Sequence, residues 1–131
     1  MSWIFYITRG TGGGEEPSTQ YHCVHCKEHL ANAADQLEVL GRPSRRSYFN
    51  PHGIECEIVT LAACLSYRAA DYSSTEHTWF DGYAWRPLGC GGCGEFLGWR
   101  FEATPGAAAP ASAAPGPRRF YGLLVERLIV V

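Results

Sequence analysis

A chain of 131 residues with 46% hydrophobic content can build one domain around one real core, but not two. Eleven Lys and Arg against thirteen Asp and Glu leave a net charge of −2 and a pI near 6.2, so the basic excess of a nucleic-acid binder is missing. No run approaches the roughly 20 apolar residues of a membrane-spanning helix, so no membrane partner is expected.

The opening, Trp3-Ile4-Phe5-Tyr6-Ile7, is apolar but short. It lacks the basic flank and cleavage site of a signal peptide, so residues 1–8 read as a strand. Residues 9–19 are rich in Gly, Glu, Pro and Ser and read as a loop. The chain is expected to be cytoplasmic, where thiols stay reduced and Cys-x-x-Cys pairs favour metal over disulfide. The first pair, Cys23-Val24-His25-Cys26, follows on a knuckle. Ala31, Ala34, Leu37 and Leu40 recur at helix-like spacing and predict a short helix or turn, ended by Gly41-Arg42-Pro43-Ser44.

Residues 47–50 and 54–62 read as strands joined by Asn50-Pro51-His52-Gly53, where Pro51 fixes φ and Gly53 tolerates positive φ. Glu55-Cys56-Glu57-Ile58-Val59-Thr60-Leu61 has the partial alternation of a half-buried strand. Asp81-Gly82 between aromatic flanks signals a tight turn. Residues 96–102 form another strand. The Ala/Pro/Gly run over 103–117 predicts a flexible loop, and residues 120–131 a closing strand. Arg45-Arg46 and Arg118-Arg119 read as solvated loop charges. Short strands with turn signals make the domain mainly β.

Cys90-Gly91-Gly92-Cys93 is the second pair. A knuckle turns both sulfurs to one side, and two knuckles supply the closed four-cysteine tetrahedron of a structural zinc site. A closed site leaves no position for water or substrate. His22, His25 and His29 flank the first pair and are rival ligands, although exposed knuckle histidines are the plainer reading. Cys56 and Cys64 are left over and read as buried apolar thiols. Neither pair lies in a βαβ pattern, which argues against a thioredoxin-like redox motif.

Trp79 and Trp85 flank the Asp81-Gly82 turn, and Trp99 and Phe101 are two apart on a strand and share a face. By itself this pattern reads as an aromatic core, with Phe80, Tyr83, Phe96 and Phe120 inside it. The ordered run 74–85 (Ser-Thr-Glu-His-Thr-Trp-Phe-Asp-Gly-Tyr-Ala-Trp), then Cys90-x-x-Cys93, then Leu97-Gly98-Trp99-Arg100-Phe101, resembles the thalidomide-binding (CULT) domain of cereblon. Phe49-Asn50-Pro51-His52-Gly53 and Phe120-Tyr121-Gly122-Leu123 extend the likeness over nearly the whole chain.

That resemblance implies a β-tent, two antiparallel sheets pinned by one Zn2+ on Cys23, Cys26, Cys90 and Cys93. It implies a single CULT domain over 1–131. It also implies a cage of Trp79, Trp85 and Trp99, with Phe101 as a fourth aromatic, polar contacts from the backbone of His77 and Trp79, and Asn50 nearby. The implied ligand is a cyclic imide of the glutarimide type or a uracil-like ring, free or closing the end of a peptide. The chain has no room for the Lon-like domain or the adaptor-docking region of full cereblon, so it is expected to be a stand-alone, bacterial-type member without the ligase role.

Two other functions compete. Methionine sulfoxide reductases of the R-sulfoxide type resemble this fold, but need a reactive cysteine on a late strand. Arg119-Phe120-Tyr121-Gly122-Leu123 has none, so no enzyme is expected. An aromatic cage can also hold a methylated cation or a modified peptide, with Glu76 or Asp81 as its carboxylate.

Overall fold

The computed structural model describes residues 18–105 and 116–131, which form nine strands in two antiparallel sheets. The expected strand over 1–8, nearly all of the loop over 9–19 and the middle of the loop over 103–117 lie outside the described residues. The strands are β1 (Gln20–Cys23), β2 (His29–Asn32), β3 (Arg45–Phe49), β4 (Glu55–Leu61), β5 (Tyr67–Ala69), β6 (Tyr83–Cys90), β7 (Phe96–Ala103), β8 (Arg119–Leu124) and β9 (Leu128–Val130). The smaller sheet has the order β2-β1-β9 and the larger β3-β4-β8-β7-β6-β5. This is the β-tent arrangement that the resemblance implies.

Alternation of side chains gives the larger sheet two buried faces. Val59 and Leu61 of β4, Leu88 of β6 and Leu123 of β8 pack against Tyr21, Leu30 and Leu128 of the smaller sheet. On the other face Ile58, Phe101 and Phe120 gather Tyr48, Phe80 and Tyr83 into an aromatic cluster. Trp79, Trp85 and Trp99 pack against that second cluster.

Several expectations are corrected. Of the short helix or turn expected over Ala31, Ala34, Leu37 and Leu40, only a 3-10 turn at Ala33–Asp35 forms: Ala31 lies in β2, and Ala34 and Leu40 are exposed. Pairing of β2 with β1 recruits the start of the run into a sheet, and Leu40 and Gly41 both turn at positive φ (52° and 73°). The closing strand is two strands, because a 3-10 turn at Val125–Arg127 carries the chain from the larger sheet to the smaller. Phe96 is 38% exposed rather than core, at the outer end of β7. Arg45, Arg46 and Arg119 lie on strands, not loops.

Candidate functional site

Cys23 ends β1 and Cys90 ends β6, so each knuckle begins where a strand stops. The two knuckles share one hydrogen-bond plan. The N–H of Lys27 donates to the Cys23 carbonyl and that of Gly94 to the Cys90 carbonyl, both at 2.8 Å. The N–H of Cys23 donates to the Glu28 carbonyl and that of Cys90 to the Glu95 carbonyl, at 2.8 and 2.7 Å. Lys27 (φ 71°) and Gly94 (φ 83°) occupy the same left-handed corner. Gly92 is needed for room: a Cβ there would lie 2.9 Å from Cys26 Sγ.

The plan converges the four sulfurs. Cys23 and Cys93 Sγ are 3.8 Å apart, Cys26 and Cys90 Sγ 3.6 Å, and all four lie within 4.8 Å of one another. Metal–sulfur bonds of about 2.3 Å in a tetrahedron require edges of about 3.8 Å, so the spacing fits a metal ion. Backbone N–H groups of His25, Cys26 and Gly92 point at Cys23 and Cys90 Sγ, which favours thiolate sulfur. A backbone hydrogen bond at Glu28 lowers the Cys26 thiol, but burial and the sulfurs of Cys90, Cys93 and Cys23 outweigh it and push it up to about 12. Four sulfurs this close resist joint ionisation until a cation sits among them, which is what a metal supplies.

The rival histidines stay out. His25 is exposed, while His22 and His29 stack at 5.0 Å across the β1–β2 ladder. The Lys27 carbonyl and Gln20 amide hold His22, and Asn32 holds His29. Cys56 and Cys64 are only half-buried, which corrects the expectation of buried thiols.

A cavity of about 250 Å3 opens on the aromatic face, lined by Asn50, Pro51, Glu76, His77, Trp79, Trp85, Trp99 and Phe101. The β6–β7 register sets Trp85 opposite Phe101, with Trp99 on the same face one step along. Trp79 comes from the loop before β6 and meets Trp99 edge to face at 5.0 Å, 77°. Each wall is backed. Tyr48 stacks on Trp79 at 5.0 Å, Tyr72 meets the edge of Trp85, and Phe96 the edge of Trp99.

The loop carrying Glu76, His77 and Trp79 is tied to the sheet. Ser74 and Trp85 exchange backbone hydrogen bonds at 3.0 and 2.8 Å. The Trp85 indole N–H donates to the Glu76 carbonyl at 2.7 Å, and that of Trp79 to the Phe49 carbonyl at 3.0 Å. Arg42 donates to the Trp79 carbonyl at 2.6 Å. His77 turns at φ 57°, and among the described residues its N–H and the Trp79 N–H donate to no partner and its C=O accepts from none. Asn50 Oδ1 accepts from the N–H groups of His52 and Ile54, which leaves its Nδ2 as the side-chain donor.

All six residues of the expected cage therefore border one cavity, and Asp81 does not. Sequence reading missed Pro51 as a lining residue, although the turn motif contains it. It also missed the supports Tyr48, Tyr72 and Arg42, whose only sequence signal is residue type.

Fold and site together define a small β domain with a cluster of four thiols spaced to hold a metal ion and with an aromatic pocket. No family model matches the chain. It is 36% identical over 83 residues to protein cereblon of Gallus gallus, covering 63% of this chain and 17% of that protein. It is 32% identical over 115 residues to protein cereblon of Drosophila pseudoobscura pseudoobscura, covering 86% and 17%, and 34% identical over 112 residues to that of Danio rerio, covering 85% and 24%. The chain is a cereblon-like domain. It spans about a fifth of the length of the curated relatives it matches. No helix among the described residues is long and apolar enough to cross a membrane.

Proposed function

We propose that the chain is a single small-molecule-binding domain whose tryptophan cage takes a cyclic imide or a uracil-like ring, free or at the end of a peptide. The carrying observation is the set of backbone groups on the cavity wall without a partner among the described residues. A cyclic imide offers acceptor, donor and acceptor along one edge. The His77 carbonyl and the N–H groups of His77 and Trp79 supply the complementary acceptor and donors. Indole walls enclose the apolar ring carbons and exclude water, which strengthens those few bonds. No cysteine among the described residues lines the cavity, and its titratable groups, Glu76 and His77, are both exposed. Binding rather than catalysis is the reading this supports, in a cytoplasmic setting where reduced thiols hold Zn2+ as a structural ion.

Glutarimide titrated against tryptophan fluorescence tests it. A saturable change below millimolar concentration is expected, and a flat titration to several millimolar would sink the reading. A cationic ligand is the second reading, favoured by Glu76 on the cavity wall. Tetramethylammonium in the same titration separates the two, because a cation cage binds it and an imide pocket does not.

A further inference from the structure

The strands that carry the cage carry charge on their reverse. Side chains alternate along a strand, so Arg86 follows Trp85 onto the back of the larger sheet, and Arg100 and Glu102 alternate there with Trp99 and Phe101. The register sets Arg86 directly opposite Arg100, and on β8 it sets Tyr121 opposite Arg100 and Arg119 opposite Glu102. Like charges directly opposed across an antiparallel pair are destabilising, so counter-charge is needed between them. One carboxylate provides some. Glu102 Oε1 lies 3.6 Å from Arg86 Nε, and its Oε2 lies 3.4 Å from Arg100 Nη2 and 2.9 Å from Arg119 Nη2.

Three guanidiniums against one carboxylate leave two positive charges in excess. Two of the three are held back from solvent, since the Arg100 and Arg86 side chains are only 14% and 24% exposed, while Arg119 is 50% exposed. The buried Nε groups of both make no hydrogen bond to a described residue, while Arg86 Nη1 donates to the Ala70 carbonyl at 2.9 Å. Arg100 Nη1 donates to the Tyr67 hydroxyl at 3.1 Å, and that hydroxyl lies 3.3 Å from the Tyr121 hydroxyl. The Tyr121 hydroxyl, and Arg100 beside it, hold the Tyr67 phenol below the usual tyrosine range. A half-buried cluster with surplus guanidinium donors and two adjacent hydroxyls has the chemistry of an anion receptor.

We propose that Arg86, Arg100 and Arg119, with the Tyr67 and Tyr121 hydroxyls, form a binding site for a dianionic oxyanion on the sheet face opposite the cage. Glu102 holds part of that site and competes with the ligand. The charge of the occupant follows from the excess of two.

Thermal unfolding of the full chain in inorganic phosphate and in succinate, each at matched ionic strength against sodium chloride, tests the site. At least one dianion should raise the midpoint saturably, by about 4 °C at ten times its dissociation constant, where chloride does not. Which dianion does so identifies the head group. Arg119→Gln changes an exposed side chain and should weaken the anion about tenfold. Glu102→Gln removes the competing carboxylate and should strengthen it severalfold. Dianions that act no differently from chloride, or a dianion effect unchanged by both substitutions, overturn the proposal.

Discussion

Trp99 is half-buried and stands between Trp79 and Phe96, so it is wall rather than core. Trp99→Ala should lower ligand affinity at least about tenfold while the cooperative unfolding transition survives, which fluorescence titration and circular dichroism read separately. Asn50→Ala should act differently, costing about 1 kcal/mol of stability because its carbonyl oxygen holds two turn N–H groups. Burial pushes the Cys64 thiol up to about 11 from its ordinary 9.0, so the fold prefers it neutral. Its contribution to stability is complete below pH 9 and is lost as pH rises through about 11. Melting curves from about pH 8 to 11 should fall less steeply for Cys64→Ala than for the native chain. At this scale the clustered cysteines were legible from their spacing, and the cavity-lining tryptophans only from the resemblance that their order carries, since residue type alone reads them as core. Tyr48, Tyr72 and Arg42 were not, since a tyrosine behind a wall and a tyrosine on a surface look alike in one dimension.

The knuckles are the elements with the most local logic. Lys27 and Gly94 share a left-handed corner, yet only glycine adopts it freely. Lys27→Gly should therefore stabilise the chain by up to about 1 kcal/mol, less the loss of its Nζ bond to the Val24 carbonyl. Gly94→Ala should destabilise by about 1 kcal/mol. Urea denaturation of the two variants checks both signs. The turn at Asn50 and the strands over 54–62 and 96–102 followed from turn chemistry and alternation. β1, β2, β5 and β6 did not: the first three hold too few side chains to display a period, and in β6 Arg86, Pro87 and Gly89 break it. The misread run from Ala31 to Leu40 has the same cause, since its spacing was weaker than the pairing that β1 imposes.

The whole molecule rests on a junction between its sheets. Cys23 ends a strand of the smaller sheet and Cys26 follows it, and Cys90 ends a strand of the larger sheet and Cys93 follows it. A structural metal on four thiols contributes about 10–16 kcal/mol in small peptides, comparable with or above the entire stability of a domain. Chelation should therefore unfold or loosen the chain and abolish ligand binding, and added Zn2+ should restore both. Retained binding in the metal-stripped chain would show that the cage stands without the junction. Trp85 and Cys90 are five residues apart on β6, about 17 Å of extended strand. A metal ion held by the four thiols would act on a pocket ligand through that strand.

The sequence by itself determined the chemistry. The thiol spacing, the aromatic order and the turn residues are local properties that survive in one dimension. Tertiary structure alone decided which face each side chain took and how the last segment split between sheets. It also decided that Arg86, Arg100 and Arg119 share one half-buried patch behind the tryptophans. The reason is strand register: a shift of one residue exchanges the two faces of a strand, and register is set by partners far away in the chain.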